Sequence, residues 1–207
     1  MRLVSTFALG MLLACGIFAC QGEQAIVPRD HSNDVAEEGM YRNDEYGYTV
    51  SVPQGLKAYR MKAPAPQHGI MLDLNKGELW VNGEYDAILA RSVDAIALST
   101  AELWSAHDQL RVVGISSTPL SGLAARDVVL ERESFEGRIN YVHLVVAYRA
   151  IPNGVGVVYT IGIQARTKNA PDEKLFSALV DSFHLTDLPN RGSFRQRRKP
   201  PTHNSEK

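Results

Sequence analysis

Cysteine is almost absent from this chain. Its 207 residues include two, Cys15 and Cys20, both within the first twenty positions. From residue 21 onward a disulfide, a cysteine-ligated metal and a cysteine nucleophile are all excluded. Charge of one sign is lacking as well. The 22 basic and 23 acidic side chains give a formal net charge of −1, so there is no global electrostatic footprint for nucleic acid. After residue 20 no stretch approaches the roughly 20 consecutive apolar residues that a membrane-spanning helix needs. Glycine-rich phosphate loops and the paired-histidine helix of zinc hydrolases are missing. Gly114-Ile115-Ser116-Ser117-Thr118 lacks the second glycine of a serine-hydrolase elbow. These gaps leave no local catalytic motif, and the expectation is no cofactor, no metal and no nucleic-acid partner.

What is present begins at the N-terminus. Met1-Arg2 gives a minimal positive start, and Leu3 to Phe18 is apolar apart from Ser5, Thr6 and two glycines. That stretch is short and interrupted, which fits a cleaved signal better than a span. Ala19 then precedes Cys20, and the polar Gln21-Gly22-Glu23-Gln24 follows. A small residue before a cysteine at this point is the layout of a bacterial lipoprotein signal, with the lipid (palmitate among its chains) attached at Cys20. Leu12-Leu13-Ala14 before Cys15 is a competing lipobox, and secretion without a lipid is the third reading. One acyl chain anchors marginally, at about 0.8 kcal/mol per buried methylene, and stable attachment takes two signals. The several chains of a bacterial lipoprotein supply that surplus. Gln21 in place of aspartate after Cys20 favours the outer membrane of a Gram-negative envelope.

Residues 1–19 therefore read as signal peptide. Residues 20–40, acidic and without periodicity, read as a flexible linker, and 41–186 as one domain. Residues 187–207 read as a disordered basic tail. Within 191–207 are six basic residues against one acid, which suggests a contact with anionic surfaces. In the domain, Tyr48, Val50 and Val52 alternate with polar residues as a half-buried strand does, and Pro53 stops it. Gly69 to Leu74 and Leu79 to Asn82 are further strands. Ser92 can cap a helix that buries Val93, Ile96, Ala97, Leu103, Trp104, His107 and Leu110, though Ser99 with Glu102 offers a later start. Segments 112–118, 124–132, 138–149 and 155–165, separated by Ser121-Gly122, Glu136-Gly137 and Pro152-Asn153-Gly154, form an antiparallel meander. Asn169, Pro171, Asp172 and Glu173 open a last helix burying Leu175, Phe176, Leu179 and Val180, and residues 182–185 return as a short edge strand. Segment 138–149 is apolar on both faces and so needs cover on both. In 155–165 one face is Val157, Tyr159, Ile161 and Ile163. The other holds Gly156 and Gly162, small enough to admit a close helix or a shallow groove. The sum is an α+β fold, an antiparallel sheet of about six strands with helices packed on it.

Two segments carry a resemblance. Gly47-Tyr48-Thr49-Val50-Ser51-Val52-Pro53-Gln54-Gly55-Leu56 resembles the opening strand and Pro-x-Gly turn of the Mog1/PsbP-like proteins. Phe176-Ser177-Ala178-Leu179-Val180-Asp181-Ser182-Phe183 resembles the helix that closes them. Leu56 departs from the tryptophan usual in that turn. The resemblance implies an αβα sandwich. It also implies kinship with small lipid-anchored proteins on the periplasmic side, the DcrB-like lipoproteins among them. It does not fix a function.

Six histidines remain to be weighed: His31, His68, His107, His143, His184 and His203. His143 shares a strand face with Tyr141 and Val145 and is expected in the core or a groove. Trp80, Trp104, Tyr85 and Tyr141 are expected to pack between helix and sheet, with a shared pocket as the alternative. The functional expectation is a lipid-anchored cell-envelope protein with a non-catalytic domain that binds a protein or small ligand. The competing expectation is a hydrolase-like enzyme built from His68, Asp73 and His143, which requires those three side chains to converge.

Overall fold

The computed structural model describes residues 36–189 other than 62–65, 88, 91, 133–137, 153 and 154. The signal, Cys15, Cys20 and residues 190–207 of the basic tail lie outside the described residues, whereas Leu188, at the start of the stretch read as disordered tail, packs against the core. In chain order the strands are β1 (Ala36–Glu37), β2 (Met40–Asn43), β3 (Tyr48–Ser51), β4 (Ala58–Arg60), β5 (Gly69–Leu74) and β6 (Gly77–Tyr85). Helix α1 (Val93–Asp108) follows, then β7 (Arg111–Leu120), β8 (Leu123–Glu131), β9 (Tyr141–Arg149) and β10 (Val157–Ala165). Helix α2 (Ala170–Asp181) and β11 (His184–Leu185) close the domain.

β9 and β10 dictate the layering, because both are buried along nearly their whole length. They lie at the middle of an eight-stranded antiparallel sheet in the order β1-β4-β5-β6-β10-β9-β8-β7. One face carries Val142, Leu144, Val146 and Val158 against Ile96, Ala97 and Ala101 of α1. The other carries Tyr141, Val145, Val157, Tyr159, Ile161 and Ile163 against Phe176 and Leu179 of α2 and against β3. Each fully buried aliphatic side chain of this kind contributes roughly 1.5–3 kcal/mol, far more than strand propensity does. The two-faced apolar pattern therefore selects the central position.

The sequence led to one sheet, and the structure has two. β3 sits between β11 and β2 in a three-stranded sheet beside α2. Aromatic packing holds it there: Tyr48 stacks on Phe183 with ring centroids 5.3 Å apart, and the Tyr159 hydroxyl donates to the Tyr46 carbonyl at 2.7 Å. The two segments that carry the family resemblance thus pair directly, His184 opposite Thr49 and Leu185 opposite Tyr48. The large sheet also begins earlier than expected. Ala36 and Glu37, within the 20–40 stretch, pair with Tyr59 and Ala58.

Both helices start where their capping residues place them. The Ser92 side chain accepts from the Ala95 N–H, and Asn169 accepts from the Asp172 N–H. Three details of α1 differ from the sequence reading. Leu103 is 58% exposed, and Ala101 occupies the buried stripe instead. His107, expected on the buried face, is exposed. Leu110 is buried but lies beyond the helix, just before β7. Gly156, just before β10, and Gly162 within it open neither room for a helix nor a groove. A Cβ on Gly162 would lie 2.2 Å from Cζ2 of Trp80, and one on Gly156 would meet the Tyr148 ring. Aromatic side chains of the neighbouring strands fill that space.

Candidate functional site

Alternation along β9 sends Tyr141, His143 and Val145 to the face covered by α2. On β8 the same face receives Asp127, which lies opposite Val145 in the register. The Asn169 cap starts α2 so that Glu173 falls in its first turn, where the helix dipole favours a negative charge. These three elements meet at one side chain. His143 Nε2 is 2.9 Å from Asp127 Oδ2, and Nδ1 is 3.1 Å from Glu173 Oε2. The Tyr141 hydroxyl lies 3.1 Å from the same Nδ1, and the Phe176 ring is 4.4 Å away between centroids. Beside the cluster the Lys168 ammonium lies 5.1 Å from the Tyr141 ring centroid and 3.8 Å from Glu131.

The electrostatics follow from these distances. Burial would lower the His143 pKa, but the carboxylates of Asp127 and Glu173 outweigh it and raise the value above the ordinary 6.5. A histidine that faces a carboxylate at each nitrogen donates from both, which makes it an imidazolium. Burial, reinforced by Glu173, pushes the Tyr141 phenol well above its usual range, so it stays neutral. The chemical consequence is restrictive. General-base work needs a ring nitrogen with a free lone pair, and here both nitrogens are committed. Metal binding fares no better, because the two carboxylates approach opposite sides of one ring and no single point is near all three groups. Among the described residues no cluster of three or more His, Cys, Asp or Glu is arranged to hold a metal ion. The cluster instead ties β8 and β9 to α2.

The triad His68, Asp73 and His143 does not assemble. His68 precedes β5 at one end, its ring 5.2 Å from that of Tyr46 and its Nδ1 3.9 Å from Glu84. Asp73 pairs with Glu78 near the other end, about 17 Å along the strand at the usual rise. His143 lies three strands away on the α2 face, whereas alternation in β5 puts Asp73 with Met71 on the α1 face. Separation along one strand and across two faces rules out hydrogen-bond reach, so the hydrolase reading built on these residues is withdrawn. The aromatic residues divide likewise: Trp80 stacks on Trp104 at 5.9 Å under α1, while Tyr85 and Tyr141 face the opposite layer. They line no common pocket.

Two further surface features lie among the described residues. A shallow hollow of about 420 Å³ opens beside the Pro53-Gln54-Gly55-Leu56 turn, bounded by Gly39 and Val52 and by the Glu38–Lys57 ion pair. At the sheet's edge, β7 is exposed from Arg111 to Ser117, and Val112, Val113 and Ile115 are among the most exposed large apolar residues. Sequence reasoning named Glu173 as a helix-start acid and missed Asp127 as its counterpart. The available signal was a charged residue at a position alternating with Ala125 and Val129, which face the core.

No protein-family model matches the chain, and no curated protein does. Solved structures do match. LpqN from Mycobacterium tuberculosis, described as involved in cell envelope biogenesis, is 15% identical, with 73% of this chain and 92% of that chain covered at a TM-score of 0.50. Cyanobacterial PsbP (CyanoP) from Synechocystis sp. PCC 6803 is 13% identical, with 73% and 94% covered at a TM-score of 0.51. The sheet carries α1 on one face and α2 on the other, the αβα arrangement that the resemblance implied. The chain has the Mog1/PsbP-like α+β fold.

Proposed function

We propose that this chain is an exported, lipid-anchored protein of the bacterial cell envelope whose domain is a non-catalytic binding module. The observation that carries the reading is Cys20, placed behind Ala19 at the end of the apolar stretch and ahead of a polar, acidic one. The likeness to LpqN, a protein involved in cell envelope biogenesis, supports the compartment. The non-catalytic part rests on geometry: His143 has both nitrogens held by carboxylates, and His68 and Asp73 lie elsewhere. Gln21 directs the anchored protein to the outer membrane where one exists.

The test is metabolic labelling with a radioactive palmitate precursor, followed by detergent phase separation. The wild-type chain is expected to be labelled and to enter the detergent phase. Cys20→Ser is expected to lose the label, while Cys15→Ser keeps it. Label retained in Cys20→Ser and lost in Cys15→Ser would move the anchor to Cys15, and absence of label from the wild-type chain would end the lipid reading.

A further inference from the structure

β7 is the last strand of the large sheet and its longest, at ten residues. Among the described residues nothing pairs with its outer edge. Natural edge strands are guarded by lysine, proline or bulges. Here the guards stand only at the ends. The register with β8 shifts between Val112 and Gly114, and Pro119 lies near the Ser121-Gly122 turn. Between Val112 and Leu120 there is no charged residue.

Which backbone groups point outward follows from the hairpin. Ser121 and Gly122 both have positive φ, at 49° and 84°, which makes a two-residue turn of type I′. In such a turn the flanking pair, Leu120 and Leu123, exchanges both hydrogen bonds. Alternation then turns the N–H and C=O of Thr118, Ser116 and Gly114 toward β8 and those of Ile115 and Ser117 outward. Pro119 takes an outward position as well, which is why a residue without an N–H is tolerated there.

We propose that β7 pairs antiparallel with β7 of a second copy of this chain, about a two-fold axis at Ser116. In that register Ile115 of each copy exchanges both backbone hydrogen bonds with Ser117 of the other. The occupant is identified by charge and symmetry. The edge is exposed and carries no charge from Val112 to Leu120, and a second copy offers an extended, uncharged stretch of the same length. Pairing about Ser116 sets no like charges opposite each other, and Arg111 falls beside the partner's turn rather than its strand. Gly114, Ser116 and Thr118 put only small side chains on the α2 face, while Ile115 lies diagonal to its symmetry mate on the α1 face. The association closes on itself, because a two-fold pair uses up both open edges.

The experiment is position-specific disulfide formation in the full chain carrying Cys15→Ser and Cys20→Ser, purified in mild detergent and oxidised with copper phenanthroline. The pair about the axis brings the two Cα atoms of residue 116 to about 4.5 Å, within the range a disulfide spans. Residue 118 of one copy would lie about 14 Å from residue 118 of the other, too far to bridge. The expected result is a reducible dimer from Ser116→Cys and monomer from Thr118→Cys. Adding Ser117→Lys to Ser116→Cys sets a lysine at the exposed edge and is expected to cut dimer yield at least severalfold, with the circular dichroism spectrum unchanged. Three outcomes would overturn the proposal: a Ser116→Cys chain that stays monomeric while its thiol reacts with a maleimide, equal cross-linking at 116 and 118, or a dimer indifferent to Ser117→Lys.

Discussion

Replacing His143 with leucine removes the cation from a three-element junction and leaves two carboxylates facing an apolar side chain. Two charge-assisted hydrogen bonds are lost, each contributing about 1.5–3 kcal/mol. Water reclaims part of this, since the side chains of His143, Asp127 and Glu173 keep 16%, 30% and 23% of their exposure. Leucine also gains contact with Phe176. A net loss of about 2–3 kcal/mol is expected near pH 6, below the 3–5 of a fully buried broken pair. For a domain of this size that corresponds to a fall in Tm of about 5–10 °C. The pH dependence separates this account from simple repacking. The folded pKa of His143 is raised above the unfolded value, so its contribution is fully present below about pH 6.5 and fades as pH rises through the folded pKa. Asp127, Glu173 and the Tyr141 hydroxyl face the ring, and the phenol, raised by burial, stays neutral across that range. Thermal melts of wild type and His143→Leu from pH 5.5 to 9.5 make the comparison. The gap should be widest at the acidic end and should narrow with pH. A gap under about 2 °C, or one constant across the range, would refute the imidazolium clamp.

Gly162→Ala should destabilise by about 1–3 kcal/mol through overpacking against Trp80, read as a lower urea midpoint and a shift in tryptophan emission. Gly114→Ala, where a Cβ meets nothing within 4 Å, should change neither. Asn169→Ala should cost about 1 kcal/mol by removing the N-cap of α2, and in a double-mutant cycle the loss should couple to His143→Leu, since the cap positions Glu173. Deleting residues 191–207 should weaken binding to anionic vesicles at low salt, with the difference shrinking at physiological salt, where the Debye length is about 8 Å. Equal binding by both chains would leave the tail without a membrane contact.

Most elements and much of the layering were legible in the sequence, but β1 and β4, at the far edge of the large sheet, were not. Caps at Ser92 and Asn169 and turn residues at Ser121-Gly122 act within a few residues of chain, so their effect is legible without a fold. The two-faced apolar pattern of β9 likewise requires cover on both sides, whatever supplies it. Strand partners were a different matter. Nothing local in Tyr48-Thr49-Val50-Ser51 says that it joins a second sheet through Phe183, because that choice depends on a stack formed with a residue far along the chain. The His143 cluster was half legible. Alternation put His143 on the face of Tyr141, but its charge state depends on Asp127 and Glu173, which only the packing of α2 on the sheet brings to its two nitrogens. The uncharged run from Val112 to Leu120 shows the limit most plainly. Periodicity reports that a strand is apolar, whereas its position in the sheet decides whether that surface is buried, and this one ended at the edge. Sheet order is set by long-range pairing, in which the energy of each strand depends on neighbours distant in sequence, and only the tertiary structure supplies those.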